Sequence, residues 1–114
     1  MLLFKILLLH LVNKKVKIMN YGTIIKKLRV DKMKQTQASF ANSLGITQTY
    51  LSQIENNNKS PSSDLMNNIS EYVKIPLAVI YWLSLTINDV PEHKREYFLN
   101  LKPTADSLIN SFFI

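Results

Sequence analysis

Between Gln37 and Ile54 the chain sets apolar residues at Phe40, Leu44, Ile46, Leu51 and Ile54, a small residue at Ala41 and a glycine at Gly45. Few arrangements satisfy that spacing. Two short helices that cross steeply need a small side chain where they approach, a residue tolerant of positive φ in the turn, and inward apolar residues on the second helix. Ala41, Gly45, Leu51 and Ile54 supply these in order. A plain amphipathic hairpin within an α bundle produces part of the same pattern.

The 114 residues allow one compact domain, and 46% apolar content is enough for a core. Two Gly and four Pro speak against turn-rich sandwiches and Gly-rich phosphate loops, which leaves an all-α expectation. The absence of Cys removes disulfides, thiolate metal sites and a cysteine nucleophile, and fits a cytoplasmic home. The net charge of +6 is uneven: residues 1–20 carry +4, residues 21–87 carry +3 and residues 88–114 carry −1. Such an excess attracts polyanions without telling nucleic acid from an anionic membrane.

Periodicity predicts five helices followed by a helical extension. Tyr21, Ile25 and Leu28 share one face of a first helix over 21–32, with Lys26, Lys27, Arg29 and Lys32 around the rest. Thr36 caps a second helix that Gly45 stops, and Thr47 caps a third that frays into Glu55-Asn56-Asn57-Asn58. Ser60-Pro61-Ser62 starts a fourth helix with Leu65, Met66, Ile69, Tyr72 and Val73 inward, and Pro76 starts an apolar fifth over 77–85. Trp82 and the other aromatics at helical spacing are expected in the core. Pro91 suits a helix start, and Pro103 is expected to open a last segment whose stripe is Leu108, Ile109, Phe112 and Phe113.

The first residues, MLLFKILLLHLV, are too short a run for a membrane span, which needs ~20 apolar residues, and lack a signal-peptide cleavage site. Residues 1–18 are expected to be a disordered or mis-called extension, with Met19 as the native start; a packing or oligomerising segment and membrane contact are the alternatives. The organisation expected is an extension over 1–18, a DNA-binding unit over 19–87 and a helical segment over 88–114.

From Tyr21 to Leu85 the chain resembles the lambda-repressor-like, Cro-type (Xre) helix-turn-helix regulators of bacteria and phages. The residues that carry the likeness are IIKKLR (24–29), TQASFANSLGIT (36–47), YLSQIEN (50–56), the PS at 61–62 and the IPL at 75–77. The resemblance implies a five-helix DNA-binding domain whose third helix enters the major groove. Two departures stand out: VDKMKQ (30–35) is one residue longer than the family usually has between its LR and TQ pairs, and it lacks the Gly often found there. A different loop between helices one and two is expected. Whether Arg29 still reaches Glu55, as the matching residues in the family tend to, is left open.

With Leu51 and Ile54 turned inward, Thr49, Ser52 and Gln53 point outward, flanked by Gln48 and Tyr50. These five are the expected base readers: Gln both donates to and accepts from adenine, and Thr or Tyr touches a thymine methyl. An A·T-containing half-site follows. Phosphate contacts are expected from Gln37 and Thr47 at helix starts, where N–H groups favour an anion, and from Asn57 and Lys59 after the third helix.

An enzyme is not expected, since His10 and His93 are isolated and no carboxylate pair suggests acid–base work; neither metal nor cofactor is expected. The expected function is a sequence-specific transcriptional regulator, a repressor, with double-stranded DNA as partner; the alternative is an antitoxin or anti-regulator that works through protein contacts. A homodimer is the expected state because two-fold operators need two reading heads. The stripe at Leu108, Ile109, Phe112 and Phe113 is either its interface or folds back near Trp82.

Overall fold

The computed structural model describes residues 20–114 together with Leu2, Leu3 and Lys5. Those three have helical backbone and exposed side chains; the expectations for the remainder of the extension, including a start at Met19, fall outside the described residues. Asn20 caps α1 (Tyr21–Lys27) through the Thr23 N–H, and its own N–H donates to the Ser84 carbonyl at 2.9 Å. The first helix is thereby tied to the end of the fifth.

α1 then opens into a wider π-type turn over Leu28–Lys32, in which the Met33 N–H reaches the Leu28 carbonyl five residues back. A turn of this kind takes up one extra residue without ending the helix. The helix expected over 21–32 is therefore present with its last turn widened, and Leu28 and Arg29 stay buried. Lys34 completes the connection at φ 53°, the left-handed conformation for which glycine is suited.

α2 (Gln37–Leu44) and α3 (Gln48–Glu55) begin on the side chains of Thr36 and Thr47, which accept the N–H groups of Ser39 and Tyr50 at 3.1 and 3.0 Å. Gly45 stands between them at φ 70°, ψ 28°, so the Ile46 N–H turns back to the Ala41 carbonyl. Ser62 caps α4 (Ser63–Val73), Lys74 ends it at φ 58°, and Pro76 precedes α5 (Leu77–Ser84). Two 3-10 turns, Ile87–Asp89 and Glu92–Lys94, lead to α6 (Arg95–Phe113).

The core is built by the first five helices: Ile25 and Leu28, Phe40 and Ala41, Leu51 and Ile54, Leu65, Met66, Ile69 and Val73, then Ile75 and Ile80. α1 packs on α3 and α5, and α2 packs on α3 and α4. Helical structure dominates the described residues, which contain no strand, as the all-α reading required.

Three expectations are corrected. Pro103 opens nothing; it lies inside α6 as its ninth residue. Trp82 is half-buried at the rim, where its Nε1–H donates to Asp106 Oδ1 at 3.1 Å and the Lys102 ammonium stands 5.6 Å over its ring. The C-terminal stripe is split: Phe113 and Ile114 pack against the core and Lys32 Nζ donates to the Phe113 carbonyl at 2.7 Å, while Leu108 and Phe112 are exposed. A helix has room for two apolar faces, and α6 uses only one against its own domain. Among the described residues no helix is long and apolar enough to cross a membrane.

Candidate nucleic-acid interface

The presentation of α3 begins with a buried ion pair. The Arg29 guanidinium donates from Nε to Glu55 Oε2 at 2.8 Å and from Nη2 to Glu55 Oε1 at 2.9 Å, a bidentate pairing, and its Nη1 donates to the Gln35 carbonyl at 2.8 Å. Both residues are less than a tenth exposed. The pair left open by the longer loop is therefore formed, because the widened turn keeps Arg29 on the inner face. Its hydrogen bonds to Glu55 hold Arg29 above its ordinary pKa, against the opposing effect of burial.

Glu55 accepts a third hydrogen bond. Gln37, the first residue of α2, donates from Nε2 to Glu55 Oε1 at 3.1 Å. The end of α3, the end of α1 and the start of α2 are thus joined at one carboxylate, and Gln37 is held beside the exposed face of α3. Only one of its two amide hydrogens is engaged there.

Gln37, Gln48, Thr49, Ser52, Gln53, Asn56 and Asn58 line a shallow open concavity along that face. Every side chain in it is a neutral amide or hydroxyl, so it offers paired donors and acceptors with no fixed charge. Four of the five expected base readers, Gln48, Thr49, Ser52 and Gln53, share this surface. Tyr50 does not: it is half-buried and packs against the core.

The expected phosphate set divides in the same way. Thr47 is exposed, and its hydroxyl oxygen accepts the Tyr50 N–H while its own O–H stays available. Lys59 is exposed beside the turn that follows α3. Asn57 has a task inside the protein: it stands at φ 59° and its Oδ1 accepts the Gly22 N–H at 3.1 Å, which joins the end of α3 to the start of α1. Gly22 is needed for that approach, since a Cβ there would meet the Ile54 carbonyl oxygen and lie 2.6 Å from Asn57 Oδ1.

Asn56 and Asn58 were legible only as the frayed end of a helix. Asn56 follows Ser52 and Gln48 at helical spacing, a signal that extends the exposed row by one turn. Asn58 arrives through the turn itself, in which its N–H and that of Lys59 both reach the Gln53 carbonyl. No such closure can be read from a run of three asparagines. Among the described residues no three His, Cys, Asp or Glu side chains group to hold a metal ion.

Comparison with protein-family models matches residues 25–80 to the family described as Helix-turn-helix, a span that runs from the core of α1 to the core of α5. Comparisons with curated proteins and with solved structures returned no match. With the turn at Gly45, the Thr-capped helices around it and the family match all on the same residues, the chain belongs to the Cro-type helix-turn-helix family of DNA-binding regulators.

Proposed function

We propose that this protein is a transcriptional repressor that binds a two-fold-related operator as a homodimer, in the cytoplasm, with α3 in the major groove. The observation that carries the reading is the uncharged, amide-rich surface of α3 with Gln37 held at its edge. Glutamine amides there match adenine's donor and acceptor pair in the groove, each good bidentate contact being worth ~1–3 kcal/mol of discrimination. Gln48, Thr49, Ser52 and Gln53 are the proposed base readers, with Tyr50 at their margin. Gln37, Thr47 and Lys59 position the phosphates. Asn57 contributes through its remaining amide hydrogens, and the basic excess supplies the salt-dependent part of affinity.

Selection of bound sequences from a random DNA pool, followed by binding assays at two salt concentrations, tests this. Gln48→Ala is expected to weaken cognate binding by roughly 1–3 kcal/mol and to relax preference at one position, whereas Lys59→Ala weakens all sequences alike. Equal loss on cognate and random DNA for Gln48→Ala would remove it as a reader. No enrichment from the pool would favour the second reading, an antitoxin or anti-regulator acting through the exposed apolar face of α6.

A further inference from the structure

α6 carries an apolar face that its own domain leaves uncovered. Tyr97, Leu101, Leu108 and Phe112 are 64%, 66%, 58% and 78% exposed; Leu99, 57% exposed, lies on the other side of the helix. At 3.6 residues per turn the four fall within an arc of about 60°. Asp106, Lys102 and Phe113, which hold α6 to Trp82 and the core, lie on the opposite side. Arg95, Glu96, Lys102 and Asp106, the charged residues of the helix, all sit more than about 100° from the middle of the arc. Midway along the helix the arc is flanked by two small residues, Thr104 and Ala105.

The order along this face is symmetric. Tyr97 and Phe112 stand equally far from the midpoint between Thr104 and Ala105, and so do Leu101 and Leu108. Large side chains therefore lie at both ends, branched aliphatic ones inside them and small ones at the middle. We propose that this face pairs with the same face of a second copy, antiparallel, about a two-fold axis that passes beside Thr104 and Ala105. In such a pair Tyr97 packs on the partner's Phe112, Leu101 packs on the partner's Leu108, and the small residues let the two backbones approach at the axis.

Two observations favour a second copy over an unlike protein, and a third favours the antiparallel direction. A two-fold interface must be complementary to itself, and a face without charge has no like charges to bring together across the axis. A palindrome about the helix midpoint serves an antiparallel pair, whereas in a parallel pair each residue meets its own equivalent and no such symmetry is needed. The antiparallel arrangement also sets the positive end of each helix dipole beside the negative end of the other.

The meeting of two such faces covers on the order of 1,000 Å², taking ~150–250 Å² for each fully buried aromatic and reducing it for the exposed fraction. That is the lower limit for a specific interface. The pairing is accordingly concentration-dependent in free solution and is strengthened when two half-sites hold both chains on one DNA. It rests on the dimeric repressor reading and gives that reading its surface, in place of the mixed stripe of Leu108, Ile109, Phe112 and Phe113.

The chain has no cysteine, so single introduced thiols report cleanly. In the full-length protein Ala105→Cys is expected to form an intermolecular disulfide under mild oxidation, because residues beside the axis fall within the short Cα separation that the bond needs. Tyr97→Cys alone does not cross-link, yet it does so when mixed with Phe112→Cys chains. Sedimentation equilibrium of Leu108→Lys is expected to show at least a tenfold weaker dimer with unchanged helical circular dichroism. Mixing it with Leu101→Glu chains restores a heterodimer.

Cross-linking of Tyr97→Cys with itself would overturn the antiparallel pairing. A protein that dimerises or binds a two-fold operator with Leu108→Lys harmless and Ala105→Cys silent would overturn this interface while leaving the dimeric reading in place. A chain that stays monomeric at every concentration and binds a single half-site would remove both, and would assign the face to an unlike partner.

Discussion

Replacing Arg29 by Met isolates the Glu55 carboxylate, whose side chain is 1% exposed. The variant loses the bidentate pair and the bond to the Gln35 carbonyl, and leaves the carboxylate with the single amide donor of Gln37. An uncompensated buried charge of this kind costs ~3–5 kcal/mol. For a domain whose whole stability is on the order of 5–15 kcal/mol, that is a large fraction. With about 4–8 °C lost per kcal/mol in a domain of this size, thermal melting followed by circular dichroism should fall by on the order of 15–30 °C. The double variant Arg29→Met with Glu55→Met removes the charge along with its partner and is expected to recover most of the loss, since apolar replacements of buried pairs are often neutral or better. A single variant that melts within 3 °C of the parent would refute the reasoning, because the pair would then have to be open to water.

Three further substitutions probe the backbone. Gly22→Ala drives a Cβ into the Ile54 carbonyl and displaces Asn57, so a loss of roughly 1–3 kcal/mol or more is expected by denaturant titration; an unchanged midpoint would mean that α1 and α3 can move apart freely. A Cβ at Gly45 meets no atom within 4 Å, so Gly45→Val is expected to lose chiefly through its φ of 70°, on the order of 1–2 kcal/mol in melting experiments, and a stable variant would show that the turn rearranges. Lys34→Gly relieves the same kind of strain at φ 53°, a gain of ~1–2 kcal/mol against ~0.4–1 kcal/mol of added freedom in the unfolded chain, so a small rise in melting temperature is expected and a fall would show that Lys34 is not strained.

The helices were legible because their signals are local. Thr36, Thr47 and Ser62 each accept an N–H three residues on, and Gly45 takes a left-handed conformation that its own chemistry favours, so each boundary is written within a few residues of itself. The exposed row of α3 followed from the same economy: once Leu51 and Ile54 are assigned inward, the helical period leaves Gln48, Thr49, Ser52 and Gln53 outward.

Contacts that span a long stretch of chain are not written in local sequence. Pro103 looked like a helix start because a proline removes one backbone hydrogen bond, but α6 runs through it: its side is exposed to water, and Asp106 on the next turn is held by Lys102 and Trp82. Asn57 looked free for phosphate until the fold brought the Gly22 N–H to it from 35 residues away. The C-terminal stripe read as one surface, whereas docking against Lys32 and the core divided α6 into an inner and an outer face. The sequence alone determined where helices begin, end and turn apolar, since caps, glycine and a 3.6-residue period act between near neighbours. Only the tertiary structure decided how the extra residue before Thr36 was absorbed and which polar atoms Arg29, Gln37 and Asn57 would satisfy, because a buried donor takes whichever acceptor the packed helices bring within about 3 Å.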